Sequence, residues 1–263
     1  VDKYRPQMIF FDNGINSRAL DPIKLRFAAY YYNRAAEWGL EASVTTKRQA
    51  YLAGTVKDFE RGRPPDIHPE FWQNDTSIAH NSWGYIEGLV YRNAGELVRE
   101  LIDTVSKNGA YLLNLAPRAD GTIPEGQQLR LLQIGEWLDM NGEAIYGTRP
   151  WHRFGEGPTV EPVNARDPER GITNGMLATY SSGDMRFTTK DGNLYAILFA
   201  WPVDNQVVIT SLSTGAPHAG PVESVTLLGS NARLQFTQDA EGLKFRLPAI
   251  KPGDGAWAIR ITG

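Results

Sequence analysis

The chain has 263 residues, 41% of them hydrophobic and 22% charged, with a formal net charge of −3 and no cysteine. That length suits one large domain or two ordinary ones, and the balanced composition argues against disorder, collagen and coiled coil. No basic patch points to nucleic acid and no apolar run nears the ~18 residues of a membrane span, while the lack of cysteine excludes disulfides, thiolate catalysis and cysteine-based zinc.

The opening Val1-Asp2-Lys3 carries no start Met, charged n-region or apolar h-region, so no targeting segment is read. The compartment stays open, with a secreted or periplasmic location compatible. Met8-Ile9-Phe10-Phe11 reads as a buried strand ending at the turn signal Asp12-Asn13-Gly14. Asp21-Pro22 predicts a helix start, with Asp as N-cap and Pro first in the helix; Leu25, Ala28, Ala29, Tyr32 and Ala36 recur at helical spacing as far as Gly39. Ala42 to Thr45 is the next expected strand, which makes a β-α-β unit and implies parallel pairing. From Lys47 to about Asn93 the chain is polar and aperiodic, a length of loop usually reserved for function. Leu97, Leu101, Ile102 and Val105 predict a helix closed by Asn108-Gly109, followed by a strand at 111–115. Pro124 opens a further helix with Leu129, Leu132, Ile134 and Leu138, stopped by Asn141-Gly142.

After Pro150 the pattern changes to short strands at 185–188, 194–199, 207–209, 225–227, 243–247 and 256–261, separated by turns such as Asp191-Gly192. This spacing indicates an antiparallel β-sandwich. The expected fold is therefore α/β followed by all-β: the last strands and helices of a partial (β/α)8-like barrel over 1–150, then a C-terminal sandwich over 151–263. Three or four parallel strands cannot close an eight-stranded barrel and would leave an exposed edge. We therefore expect a fragment or one part of a split enzyme. A missing N-terminal barrel segment, from the same gene product or a separate chain, should pair with the strand at 8–12.

Several residues could carry chemistry. Asp12 ends a strand, where a parallel barrel forms its active-site rim, yet an Asp there can equally cap the turn. Glu60, in Lys57-Asp58-Phe59-Glu60-Arg61-Gly62-Arg63, could be a loop acid over the site or part of a solvated ion-pair cluster. Asp58, Asp66, Glu70 and Asp75 compete with it on position. The seven Trp and eleven Tyr either fill a core or form sugar platforms; the densest aromatic and amide group runs from Phe71-Trp72-Gln73 to Trp83-Gly84-Tyr85. The four His, at 68, 80, 152 and 218, lack H-E-x-x-H spacing, so no metal is expected, and no phosphate-binding Gly-rich loop or G-x-S-x-G elbow appears. Asn74-Asp75-Thr76 fits the glycosylation sequon and is read as chance.

These residues resemble the family-29 glycoside hydrolases, the retaining α-L-fucosidases. Met8 to Gly14 is similar to the strand ending in the family's Trp-x-Asp-Gly nucleophile motif, with Phe10 at the Trp position and Asn13 before the Gly. Asp58-Phe59-Glu60-Arg61-Gly62 resembles the Asp-aromatic-Glu-Arg-Gly motif whose Glu is the acid/base. Some relatives place that acid after the next motif's Trp, but here the position is Gln73. The most specific stretch is Asn108-Gly109-Ala110-Tyr111-Leu112-Leu113-Asn114 through Asp120-Gly121-Thr122-Ile123-Pro124, Gly135-Glu136-Trp137 and Asn141-Gly142-Glu143. The resemblance implies hydrolysis of terminal α-L-fucosides through a covalent fucosyl-enzyme, with Asp12 as nucleophile and Glu60 as acid/base. It further implies Lys47 as a cationic sugar contact, Phe10, Trp72 and Trp83 as further substrate-binding residues, and no cofactor. The expected partner is a fucosylated oligosaccharide or glycoconjugate, and a homo-oligomer is left open. Two rival readings remain: a sugar-binding scaffold without catalysis, and a retaining glycosidase acting on a related sugar such as a galactoside.

Overall fold

The computed structural model describes residues 1–48, 50, 51, 53–160, 172, 173, 180–230 and 233–263. Its first half is a parallel sheet. Strands β1 (Met8–Phe11), β2 (Ser43–Thr46), β3 (Val56–Asp58), β5 (Trp72–Ser77) and β6 (Gly109–Asn114) lie side by side in that order, every pair parallel. A two-residue strand, β4 (Gly62–Arg63), leaves this sheet to pair with β8 (Ile172–Thr173). The segment read as one aperiodic loop therefore contributes two sheet strands, β3 and β5, and the parallel sheet has five strands rather than three or four.

Helix α1 (Asp21–Glu37) differs from expectation in two ways. A 3-10 turn over Arg18–Leu20 runs straight into it, so Asp21 is its first residue and Leu20 occupies the cap position. Its buried face is Lys24, Tyr31 and Ala35, whereas Leu25, Ala29 and Ala36 are exposed. Phe27 ties this helix to β1, with its ring centroid 5.1 Å from that of Phe11 and 6.1 Å from that of Tyr31. Helix α2 (Ala94–Ser106) is capped by Asn93, whose side chain accepts the Glu96 N–H at 2.8 Å, the usual remedy for an orphan N-terminal donor. Helix α3 (Glu125–Asn141) begins directly after Pro124. Leu129 and Leu132 on it point outward, 54% and 66% exposed.

The second half is a sandwich of two antiparallel sheets. One has the order β12 (Ser224–Leu227), β15 (Trp257–Thr262), β10 (Asn193–Leu198), β9 (Met185–Lys190), β7 (Arg149–Glu156); the other is β11 (Gln206–Ile209), β14 (Gly242–Arg246), β13 (Phe236–Asp239). Leu194, Ala196 and Leu198 of β10 face the sandwich core with Ile209, Leu243 and Ile259. The alternate residues Tyr195 and Ile197 face a second core with Val98 and Ile102 of α2 and Trp137 of α3. Burial on both faces explains why β10 reads as an unbroken apolar run. The Trp137 indole N–H donates to the Ala256 carbonyl at 2.7 Å, and the Ala258 N–H donates to the Asn141 amide oxygen at 3.2 Å. Helices of the first half are thus docked on the sandwich, and the parallel sheet is held from behind with its strand ends free to carry a site.

Candidate active site

Parallel pairing brings the C-terminal ends of β1, β2 and β3 together. Phe11 is in register with Thr46, so the next residues, Asp12 and Lys47, emerge side by side. Beyond β3 the chain continues along β5: the Phe59 N–H donates to the Gln73 carbonyl and the Arg61 N–H to the Asp75 carbonyl, both at 2.8 Å. Glu60 is therefore pinned between two ladder-like hydrogen bonds, not borne on a loose loop.

Carboxylates from the end of β1, from just beyond β3 and from β5 converge on the one ammonium at the end of β2. Lys47 Nζ lies 3.0 Å from Asp12 Oδ1, 3.1 Å from Glu60 Oε2 and 2.9 Å from Asp75 Oδ2. The group is graded from inside to outside: the Lys47 and Asp75 side chains are 6% and 9% exposed, Glu60 39% and Asp12 66%. Asp12 also accepts the N–H of Asn13 at 2.7 Å, so it caps its own turn and faces the cation at once. Phe10 and Trp83 flank the ammonium, their ring centroids 5.5 and 5.9 Å from Nζ. The Arg61 guanidinium lies 4.5 Å from the Trp83 ring centroid and donates to the Ala79 carbonyl.

Burial alone would discharge Lys47. Its hydrogen bonds to Asp75, Asp12 and Glu60, together with the charge of Asp75, outweigh that and hold it protonated well above the ordinary amine range. The Lys47 hydrogen bond in turn keeps Asp12 below the usual carboxylate range, assisted by the Asn13 N–H. Asp58 goes the other way: burial, then the hydrogen bond and charge of Asp75, push its carboxyl up to about 9. An ionised carboxylate and a hydrogen-bonded partner side by side at strand tips can serve as nucleophile and proton carrier, with a cation available to bind a hydroxyl.

Of the residues singled out from the sequence, five meet here: Asp12, Glu60, Lys47, Phe10 and Trp83. Trp72 does not. It is 0% exposed, its indole N–H donates to the Lys107 carbonyl at 2.8 Å, and its ring packs on Phe59 with centroids 5.3 Å apart. A Cβ on Gly109 would stand 2.5 Å from that ring, so the small residue opposite makes room for a core plug, and no face is left for a sugar. Asp75 was one of several competing loop acids by sequence; in the structure it sits beneath Lys47, on β5. The signal for it was the alternation Asp58-x-Glu60 beside Gln73-x-Asp75, which puts each pair on one face of its strand. Among the described residues no cluster of three His, Asp or Glu is placed to hold a metal ion, and no helix is long and apolar enough to cross a membrane.

A parallel half-barrel with carboxylates at its C-terminal strand ends, backed by an antiparallel sandwich, defines a barrel-type scaffold built for chemistry at that rim. The chain belongs to the alpha-L-fucosidase family: the family model of that description matches residues 1–143, and the alpha-L-fucosidase C-terminal domain matches residues 179–262. It is 29% identical over 279 residues to the tissue alpha-L-fucosidase of Rattus norvegicus, covering 100% of this chain and 53% of that protein. A solved alpha-L-fucosidase superposes with a TM-score of 0.78 at 27% identity, covering 100% of this chain and 53% of the other. The Thermotoga maritima alpha-fucosidase in complex with fucose gives 0.74 at 28% identity, covering 98% and 53%. The chain thus spans about half the length of the relatives it matches.

Proposed function

We propose that the protein carrying this chain hydrolyses terminal α-L-fucosides with retention of configuration. The observation that carries the reading is the shared ammonium: one Lys47 Nζ bonds both Asp12 and Glu60. Two oxygens at 3.0 and 3.1 Å from one nitrogen are at most about 6 Å apart, a range that includes the ~5–5.5 Å of retaining carboxylate pairs. The fucose bound to the Thermotoga relative supports fucose as the sugar.

In this scheme Asp12 Oδ attacks the anomeric carbon as the bond to the departing oxygen breaks, and Glu60 gives that oxygen its proton. Water then gives a proton to Glu60 and attacks the same carbon, releasing fucose and restoring the Asp12 carboxylate. Lys47 keeps Asp12 ionised and can exchange a carboxylate for a sugar hydroxyl, while Phe10 and Trp83 offer apolar faces to the sugar's C–H side. We further propose that additional strands, from the same gene product or a separate chain, extend the sheet beyond β1 and β6 and close the pocket.

The test uses the complete polypeptide with a chromogenic α-L-fucoside. Asp12→Ala should lower turnover by roughly 10³-fold or more. Glu60→Ala should lower it by about 10²–10⁴-fold and respond to added azide. Wild-type rates for either variant reject its role, binding without turnover by the wild type selects the non-catalytic reading, and faster cleavage of the matching galactoside selects the related-sugar reading.

A further inference from the structure

Below the exposed carboxylates lies a second acidic pair that the proposed reaction does not use. Asp58 is 3% and Asp75 6% exposed. Asp58 Oδ1 accepts from the Gln73 amide at 2.8 Å, and Asp75 Oδ2 holds Lys47 at 2.9 Å. The other oxygen of each, Asp58 Oδ2 and Asp75 Oδ1, is buried without a donor, and the strand register sets Asp58 opposite Gln73, so that Asp75 is its diagonal neighbour on the same face of β5. Buried polar atoms almost always find partners, and two carboxylates in contact away from water do not both stay charged. A single proton between the two orphaned oxygens satisfies both at once.

We propose that Asp58 and Asp75 share one proton across these oxygens, and that the pair is the positioning element that fixes the Lys47 ammonium between Asp12 and Glu60. Asp58 is the member that keeps the proton, because Asp75 has an ammonium against its other oxygen and Asp58 has only a neutral amide. The direction in which burial and Asp75 shift Asp58 agrees. Without the proton, four carboxylates would crowd one buried ammonium; with it, Asp58 is a neutral donor whose hydrogen bond holds Asp75 in place. The charged groups facing the pair are Lys47 at the end of β2 and Arg61 beyond β3, with Arg92 and Glu100 behind Arg61. The role assigned to Lys47 rests on the fucosidase reading above, whereas the shared proton does not.

The proton is tested first, on the complete polypeptide. Difference infrared spectra of the wild type against Asp58→Asn at neutral pH should show the carbonyl band of one un-ionised carboxylic acid in the wild type only. Should Asp58→Asn not fold, carbon-13 titration of aspartate-labelled wild type should show one carboxyl still protonated through neutral pH. A folded wild type with every aspartate ionised at neutral pH overturns the pair. The positioning role is tested in the complete enzyme. Asp75→Asn should lower kcat/KM for an aryl α-L-fucoside by about tenfold or more, the scale of a lost charged hydrogen bond. Asp58→Asn, which keeps a neutral donor toward Asp75, should lose less kcat/KM than Asp58→Ala, which removes the donor and should lose about tenfold. Unchanged kinetics in Asp75→Asn, or equal losses in Asp58→Asn and Asp58→Ala, overturns the positioning role. An inactive wild type would count against the fucosidase reading and leave the spectroscopic result standing.

Discussion

The molecule contains two charge clusters of opposite design. Around Lys47 one cation is held by three carboxylates; around Asp103 one carboxylate is held by three cations, Arg63 at 3.0 Å, Lys107 at 2.9 Å and Arg186 at 2.6 Å. Their difference is burial. Asp103 is 1% exposed, and the Lys107 and Arg186 side chains 3% each, while the Lys47 group opens to water through Asp12. The Asp103 cluster links α2, β4 and the sandwich strand β9, so its role is to join the two halves. Burial opposes the Asp103 charge, yet the charges of Lys107, Arg186 and Arg63 hold its carboxyl far below the usual range. Burial, with Arg63 and Arg186 close by, pulls Lys107 down to about 8. The same Coulomb attraction therefore serves two ends: sealed from water it fixes a joint, and left half-open it keeps charges that a ligand can rearrange.

The closed cluster around Asp103 carries the largest stability effect. Asp103→Ala leaves three buried cations without their anion and should destabilise the chain by roughly 3–5 kcal/mol, measured by urea unfolding. A loss of about 1 kcal/mol, typical of a surface pair, would mean the cluster is wetter than its burial indicates. The pH dependence has a definite sign. Because the folded carboxyl of Asp103 is depressed, its contribution is complete above the unfolded value near ~4 and is lost as pH falls below it. Acid unfolding should thus be shallower in Asp103→Asn than in the wild type. At the open end, Lys47→Gln strands only Asp75 in a buried setting. It should cost about 1–3 kcal/mol in stability, while weakening the depression of the Asp12 pKa seen by carbon-13 titration. Equal stability losses for Asp103→Ala and Lys47→Gln would remove the distinction between joint and site.

The two regions were also unequally legible in the sequence. Strand β10 was plain, since burial on both faces demands Leu194 to Phe199 with hardly a polar break. Strand β5 was not, although all six of its residues are buried. After Trp72 its side chains are polar, and most find partners outside the strand: Gln73 with Asp58, Asn74 with Glu100 and Thr104, Asp75 with Lys47, Thr76 with Arg92, and Ser77 with the Ser82 carbonyl. Hydrophobic periodicity cannot detect a strand whose burial is made tolerable by hydrogen bonds rather than by apolar side chains. The face of α1 was misjudged because alanine and leucine spacing does not say which side meets a sheet, and Lys24 is buried where Leu25 is not. Trp72 shows the limit for the site itself: a sugar platform and a core plug have the same residue type. What separates them is Gly109, thirty-seven positions away, making room beneath the ring. Asp12, Lys47 and Glu60 came from motifs, but that they share one nitrogen depends on strand register, which no local pattern fixes.

The smallest expected effect tests the open cluster most directly. Raising salt from 0.1 M to 1 M shortens the screening length from about 10 Å to about 3 Å. Asp12, 66% exposed and 3.0 Å from Lys47, should therefore titrate closer to an ordinary carboxylate in high salt. Asp103, closed off from ions, should not move. In Lys47→Gln the salt response of Asp12 should vanish, which separates screening of this one contact from a general effect on the protein. If Asp12 ignores salt in the wild type, its ammonium contact is as sealed as that of Asp103, and a sugar hydroxyl would have no easy way to displace it. A response confined to Asp12 is what a nucleophile needs: a partner strong enough to keep it ionised and exposed enough to let it go.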